Sequence, residues 1–205
     1  MSFTTFSNHR KSAIYVSNVN KADGVNLNLF KCDFFNNSNE LGGGLQLSES
    51  NISVAFCRFI NNSALVHGGA LYLSYLFEGV NKAYLWELNN NIFESNVAQK
   101  GGGGALYWKW NIPKQANNTF SKNKASFGHE TASQPVRLTL NTTETTQLQR
   151  FLSGGTLTSL TLLIVDYYNQ TVTTSDSTKV KLSMGKTPWS NEDYEERINN
   201  LSSVL

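Results

Sequence analysis

Few side chains in this 205-residue chain can do acid–base or metal chemistry: 15 Asp and Glu, three His and two Cys. Over the first two-thirds the acids fall at Asp23, Asp33, Glu40, Glu49, Glu78, Glu87, Glu94 and Glu130. Cleaving a glycan needs two carboxylates that converge on one bond, or a calcium cluster with a nearby Arg or Lys. His9, His67 and His129 stand apart from one another, and no Cys/His spacing fits zinc, so each histidine is read as a turn residue. The Gly101-Gly102-Gly103-Gly104 string lacks the Gly-Lys-Ser/Thr ending and the following helix of a phosphate cradle, and is read as a corner. The remaining candidates are aromatic: Tyr84, Trp86, Tyr107, Trp108 and Trp110, with Lys109 among them. Exposed rings at Tyr107, Trp108 and Trp110 would stack against sugars. The competing reading, adopted here, is that the stretch Ser74 to Asn90 folds over them.

What must position these residues is a repeat. Cys32-Asp33-Phe34-Phe35-Asn36-Asn37-Ser38 returns as Cys57-Arg58-Phe59-Ile60-Asn61-Asn62-Ser63. It returns again as Asn91-Ile92-Phe93-Glu94-Ser95-Asn96-Val97 and as Asn118-Thr119-Phe120-Ser121-Lys122-Asn123-Lys124. Three copies run into Gly42-Gly43-Gly44-Leu45, Gly68-Gly69-Ala70-Leu71 and Gly103-Gly104-Ala105-Leu106, and the fourth keeps Gly128. The spacings between Phe34, Phe59, Phe93 and Phe120 are 25, 34 and 27 residues, the pattern of a solenoid with a loop grown on one coil. Within each copy the period is two, as in Cys57-Arg58-Phe59, which is a strand with one buried face. Asn pairs and glycine strings oppose a helix throughout.

Stacking the copies predicts three columns about 4.8 Å apart per step. Phe34, Phe59, Phe93 and Phe120 form an aromatic ladder, with Cys32, Cys57, Asn91 and Asn118 beside it. Asn37, Asn62, Asn96 and Asn123 form an amide ladder that donates to one coil and accepts from another. Cys32 and Cys57 then lie on adjacent coils, within disulfide range but with poor control of the sulfur torsion, and are read as two buried thiols. Asp33 stacks on Arg58, and no acid shares a column with another acid. A degenerate first coil spans Phe3 to Tyr15. No catalytic residue, metal or cofactor is expected.

Composition bounds the rest. Hydrophobic residues are 40% and charged residues 16%, with polarity carried largely by neutral amides and hydroxyls. Aromatic residues at 12% argue against disorder, and a net charge of +2 excludes a nucleic-acid-binding polycation. Met1-Ser2-Phe3-Thr4-Thr5 has no basic start or apolar run, so no secretory signal peptide is read. The longest apolar stretch, Leu157 to Val165, is too short to span a bilayer. Sequons for N-glycosylation begin at Asn36, Asn51, Asn61, Asn117, Asn141, Asn169 and Asn200, against about five expected by chance.

The pairing of Phe-x-x-Asn with Gly-Gly-Ala-Leu resembles the repeat of the polymorphic outer membrane protein family. It is similar also to the pectin-lyase-like solenoids of large protist surface proteins. The resemblance covers about residues 3 to 130. It implies a right-handed parallel β-helix at a cell surface, used as a structural stalk or for adhesion, and partnered by other surface proteins or by glycans. Without a signal peptide or a membrane span, the chain would be part of a longer polypeptide.

After Gly128-His129-Glu130 the asparagines thin and Thr-rich alternation begins. Val136 to Leu140, Leu160 to Ile164, Thr171 to Thr173 and Val180 to Leu182 read as strands, with a hairpin turn at Asp166 to Gln170. Such strands suit a small β-sandwich-like module, or a cap on the open end of the solenoid. Ser190 and Asp193 resemble a capping box before a short helix over Tyr194 to Leu201. The expected organisation is therefore all-β: a parallel β-helix over 1–131, a sandwich-like module over 132–187 and a short helical tail over 188–205. The expected role is a non-enzymatic, extracellular or cell-surface structural or adhesive segment. A carbohydrate-binding module is the alternative, ahead of a polysaccharide lyase or hydrolase.

Overall fold

The computed structural model describes residues 4–17, 25–75, 84–140 and 161–173, and the dipeptides 179–180 and 203–204. In the first compact unit, residues 1–173, the chain winds as a parallel β-solenoid. The first described coil supplies β1 (Thr4–Ser7) and β2 (Ile14–Ser17). The second contains β3 (Asn26–Phe30), β4 (Cys32–Phe35), β5 (Ser38–Leu41) and β6 (Leu45–Ser48). The third repeats this as β7 (Asn51–Ala55), β8 (Arg58–Ile60), β9 (Ser63–His67) and β10 (Leu71–Ser74). The fourth has β11 (Trp86–Asn89), β12 (Ile92–Glu94), β13 (Val97–Ala98) and β14 (Leu106–Trp108). The fifth has β15 (Lys114–Ala116), β16 (Thr119–Ser121) and β17 (Thr131–Ser133).

Equivalent strands pair in parallel up the stack. One sheet runs β1-β4-β8-β12-β16, a second β2-β6-β10-β14-β17, a third β3-β7-β11-β15, and a fourth β5-β9-β13. Register is held across unequal repeats: Phe34 pairs Phe59, Phe59 pairs Phe93, and Phe93 pairs Phe120. The extra residues of the longest repeat fall between β10 and β11, so the pairing of Val54 with Leu88 is undisturbed.

Period-two alternation sets what is inside. Leu45, Leu71 and Leu106 pair in one fully buried column, and Leu47, Leu73 and Trp108 in the next. Val54 and Leu88 face them from the third sheet, with Ile52 and Trp86 beside them. Each buried Leu contributes about 1.5–3 kcal/mol by leaving water, so the column of stacked apolar side chains is the main source of cohesion between coils. In β10 and β14 the second sheet is buried on both faces. Its outward column, Tyr72, Tyr107 and Ala132, packs with Phe127 under Leu41 and Val172.

Beyond the fifth coil, β18 (Pro135–Leu140) pairs antiparallel with β19 (Leu162–Asp166), and Thr171 bridges back to Val165. Over 132–173 the described residues form one antiparallel pair and a tight turn; residues 141–160, 174–178 and 181–187, which also belong to the expected sandwich-like module, lie outside the described residues. In the second unit, residues 174–205, β20 (Lys179–Val180) and β21 (Ser203–Val204) pair antiparallel. The helix expected over Tyr194 to Leu201 lies outside the described residues. Among the described residues there is no helix, and so none long and apolar enough to cross a membrane.

Candidate functional site

The repeated side chains converge on the interior ladders. Phe6, Phe34, Phe59, Phe93 and Phe120 stack ring on ring, with centroids 4.5–5.0 Å apart and planes within 12° of parallel. Phe6 thereby joins the four rings expected from the repeat. Stacked pairs of this kind are each worth about 0.5–1.5 kcal/mol beyond burial.

Beside the rings runs the amide ladder. The Nδ2 of Asn37, Asn62 and Asn96 donates to Oδ1 of Asn62, Asn96 and Asn123 at 3.0–3.1 Å. Each also donates backward, to the carbonyl of Phe6, Phe34 and Phe59. The same Oδ1 atoms accept the backbone N–H of the preceding ladder residue at 2.9–3.1 Å. Each internal amide thus uses both its hydrogens and its oxygen without water, which is what permits Asn62 and Asn96 to be wholly buried.

The second polar column changes chemistry halfway. Asn91 donates to Asn118 Oδ1 at 3.1 Å and to the Val54 carbonyl at 2.9 Å, while Cys57 N–H donates to Asn91 Oδ1. In the earlier coils thiols hold the same place: Cys32 N–H donates to Cys57 Sγ at 3.3 Å, and the two thiols donate to the Phe30 and Ala55 carbonyls. The cysteines are unpaired and buried. Burial pushes the Cys57 thiol up to about 11, partly opposed by the hydrogen bond from the Cys32 backbone.

Just before each polar column the backbone enters the left-handed region. Lys31, Phe56, Asn90 and Asn117 precede the Cys/Asn column, and Asn36, Asn61, Ser95 and Lys122 precede the amide ladder, all with φ between 53° and 56°. Asn accommodates this conformation better than other non-glycine residues. This explains three of the sequons. Asn36-Asn37-Ser38, Asn61-Asn62-Ser63 and Asn117-Asn118-Thr119 each place a left-handed turn residue, a ladder amide and a hydroxyl at the start of a strand. Asn36, Asn61, Asn117 and Asn169 are exposed and Asn51 is half-buried, whereas Asn141 and Asn200 lie outside the described residues. The left-handed columns escape a reading by residue type, because Lys31, Phe56 and Ser95 share none.

The glycines form a corner. Gly42, Gly68, Gly103 and Gly128 share a positive φ of 58–72°. At the next position, a Cβ on Gly69 would sit 2.1 Å from the Gly104 carbonyl of the neighbouring coil, so no side chain fits. His67 stacks on Tyr107 at 4.1 Å and accepts the Gly102 N–H on Nδ1, and His129 accepts the Ala125 N–H. His67 is the last residue of β9, beside the glycine corner, whereas His129 sits in the bend before β17.

Among the described residues most charged side chains lie along the outside, with Asp33, Glu49 and Asp166 buried. Arg58 grips Asp33 through two parallel hydrogen bonds, Lys114 lies 4.0 Å from Glu87, and Lys122 lies 3.4 Å from Glu94. These acids face cations of adjacent coils. Among the described residues no group of three or more His, Cys, Asp and Glu is arranged to hold a metal ion.

The aromatic cluster is mostly covered. Tyr107 lies against Tyr72 and His67, and Trp108 meets Tyr167 and Tyr168 edge-on while its Nε1 donates to Tyr168 Oη. Tyr107 and Trp108 are buried, and of the three rings proposed for sugar stacking only Trp110 is exposed. Among the described residues, Tyr167 and Tyr168 lie over Trp108 and Val172 packs on the Tyr107 cluster. Tyr84 and Trp86 of the Ser74 to Asn90 stretch share the buried cluster of Trp108, and residues 76–83 lie outside the described residues. Asp166 fixes the segment that carries Tyr167 and Tyr168. Its carboxylate is fully buried and accepts the N–H groups of Ser133, Tyr168 and Gln170 at 2.9–3.1 Å. Gln170 donates to the Thr131 carbonyl, so the turn closes over the outer edge of β17.

Residues 56–74 match the Chlamydia polymorphic membrane protein (Chlamydia_PMP) repeat. This stretch runs from the left-handed Phe56 through β8, the Asn61-Asn62 pair and the Gly68-Gly69 corner to the end of β10. No curated protein and no solved structure matches the chain. A membrane-protein repeat on a parallel β-solenoid fits a structural segment of a surface protein.

Proposed function

We propose that this chain is a non-enzymatic scaffold segment of a larger surface protein, in which stacked coils hold a rigid rod and its outer faces serve structural or adhesive contacts. The observation that carries this reading is where the repeat spends its distinctive residues. Phe34, Phe59, Phe93, Asn37, Asn62 and Asn96 are all turned inward and consumed in ladders. Asp33, Glu87 and Glu94 each face a cation of an adjacent coil, an arrangement that supports a solvated face more than a pair of carboxylates converging on a glycosidic bond. One observation favours a second reading: the exposed indole of Trp110, held at φ 70°, offers a flat face to a sugar.

Affinity electrophoresis of the full chain through gels cast with plant, algal and bacterial polysaccharides, with calcium present, tests the proposal. Unaltered migration is expected. Retardation that Trp110→Ala abolishes would replace it with the carbohydrate-binding reading, and clearing of the gel would replace it with an enzyme.

A further inference from the structure

Among the described residues the last coil is capped on one side and open on two others. The turn at Asp166 to Gln170 seals the edge of β17, but β15 and β16 are the terminal strands of their sheets, and β15 is exposed along its whole length. Among the described residues the ladders end there. Asn91 and Asn96 each give a backbone N–H and an Nδ2 hydrogen to the next coil. The equivalent groups of Asn118 and Asn123 have no recipient among the described residues. Because Asn90 N–H bonds the Ala116 carbonyl inward, alternation along the strand turns the N–H and C=O of Gln115 outward. Phe120 presents a half-buried ring as the last rung.

Charge says what would fit. Residues 111–128 carry Lys114, Lys122 and Lys124 and no acid, and the Lys114 and Lys122 side chains are about three-quarters exposed. Within the stack these lysines face Glu87 and Glu94 of the coil before them. The opposite end of the solenoid, residues 4–17, is also basic, with His9, Arg10 and Lys11 and no acid, so it repels this face.

We propose that the open edge formed by β15 and β16 binds an extended acidic segment of another protein by parallel strand addition. Its carbonyl-bearing side chains accept from Asn118 and Asn123, its aromatic ring stacks on Phe120, and its carboxylates meet Lys114 and Lys122. This holds whether or not the surface-scaffold reading is right, because the edge and its charges are properties of the chain in solution.

A fluorescent peptide copying residues 85–98 is the probe, since it carries Glu87, Asn91, Phe93, Glu94 and Asn96 at the register of a sixth coil. Fluorescence anisotropy with the full-length chain should show saturable binding that weakens with salt. Gln115→Pro removes an outward N–H and leaves the inward bonds, and should weaken binding roughly tenfold, the factor about 1.4 kcal/mol produces. The double variant K114E/K122E should lose the peptide and regain it when both peptide glutamates are changed to lysine. Each variant is first checked for an unchanged melting temperature. Binding no tighter than a scrambled peptide, or equal binding by Gln115→Pro and the charge-reversed variant, would overturn the proposal and leave the lysines as guards that keep the edge unpaired.

Discussion

At Cys57, Asn91 and Asn118 a side chain accepts a backbone N–H from the coil before it, and a thiol and an amide meet that demand differently. An amide offers a strong acceptor and two donors. A thiol offers a weak acceptor and one weak donor, yet Cys57 Sγ still accepts the Cys32 N–H. The thiol form is also tied to pH. Burial raises the folded-state value of Cys57 from about 9 to about 11, so its contribution to stability is complete below pH 9 and is lost as pH rises through 11. That rise in the folded-state value is worth roughly 2–3 kcal/mol. Thermal melts should be flat up to about pH 8.5 and fall between pH 9 and 11, with Tyr72, pushed by burial to about 12, extending the fall. In Cys57→Ala the baseline drops but the slope between pH 9 and 11 should flatten. An undiminished slope would assign the titration elsewhere. The Phe and Asn columns are legible in the sequence because one residue type recurs at one offset. Phe6 and His9 of the first coil are not, since His9 supplies only its backbone N–H to Asn37 Oδ1.

Strands and turns depend on neighbours that the local sequence does not name. Alternation marks Val136 to Leu140 and Leu160 to Ile164 as strands, and Asp166 to Gln170 as a turn; the structure has strands at Pro135–Leu140 and Leu162–Asp166, the second shifted two residues along the chain, and the turn after it. What the pattern does not carry is the partner of that turn. Asp166 closes on Ser133 across 33 residues, and one buried carboxylate holding three N–H groups leaves no periodic trace. The burial of Trp108 agrees with the expectation that these rings are covered, but Tyr167 and Tyr168 as its cover escape the reading for the same reason: alternation tells which face a ring takes, but not what lies over that face. Asp166→Ala should release the turn by stranding those N–H groups, at about 1–3 kcal/mol each where they stay buried. Tyr167 and Tyr168 would then leave Trp108, and the tryptophan emission should shift to the red and become quenchable by acrylamide, with the solenoid itself still folded. Emission and quenching identical to the native chain would mean that the cap does not rest on Asp166.

The molecule as a whole is a one-dimensional stack in which each coil contacts only its neighbours, so stability depends on every interface between coils. Low charge suits this design, because outward columns of like charge would repel at each step of about 4.8 Å. The repeat period fixes the solenoid from sequence alone, and the longer third repeat shows its tolerance, with extra residues leaving the register between β7 and β11 intact. The central claim is that buried amides, stacked coil on coil, join these interfaces into one cooperative body. Asn62 sits in the middle of the ladder, fully buried, and its replacement by Leu strands the Asn37 N–H and removes the donor to the Phe34 carbonyl and to Asn96. Equilibrium denaturation of Asn62→Leu beside the native chain, followed by far-ultraviolet circular dichroism, is therefore the most direct measurement. A loss of about 3 kcal/mol or more is expected, with the melting temperature falling in a single transition; an unchanged melting temperature would contradict the stacked-ladder account.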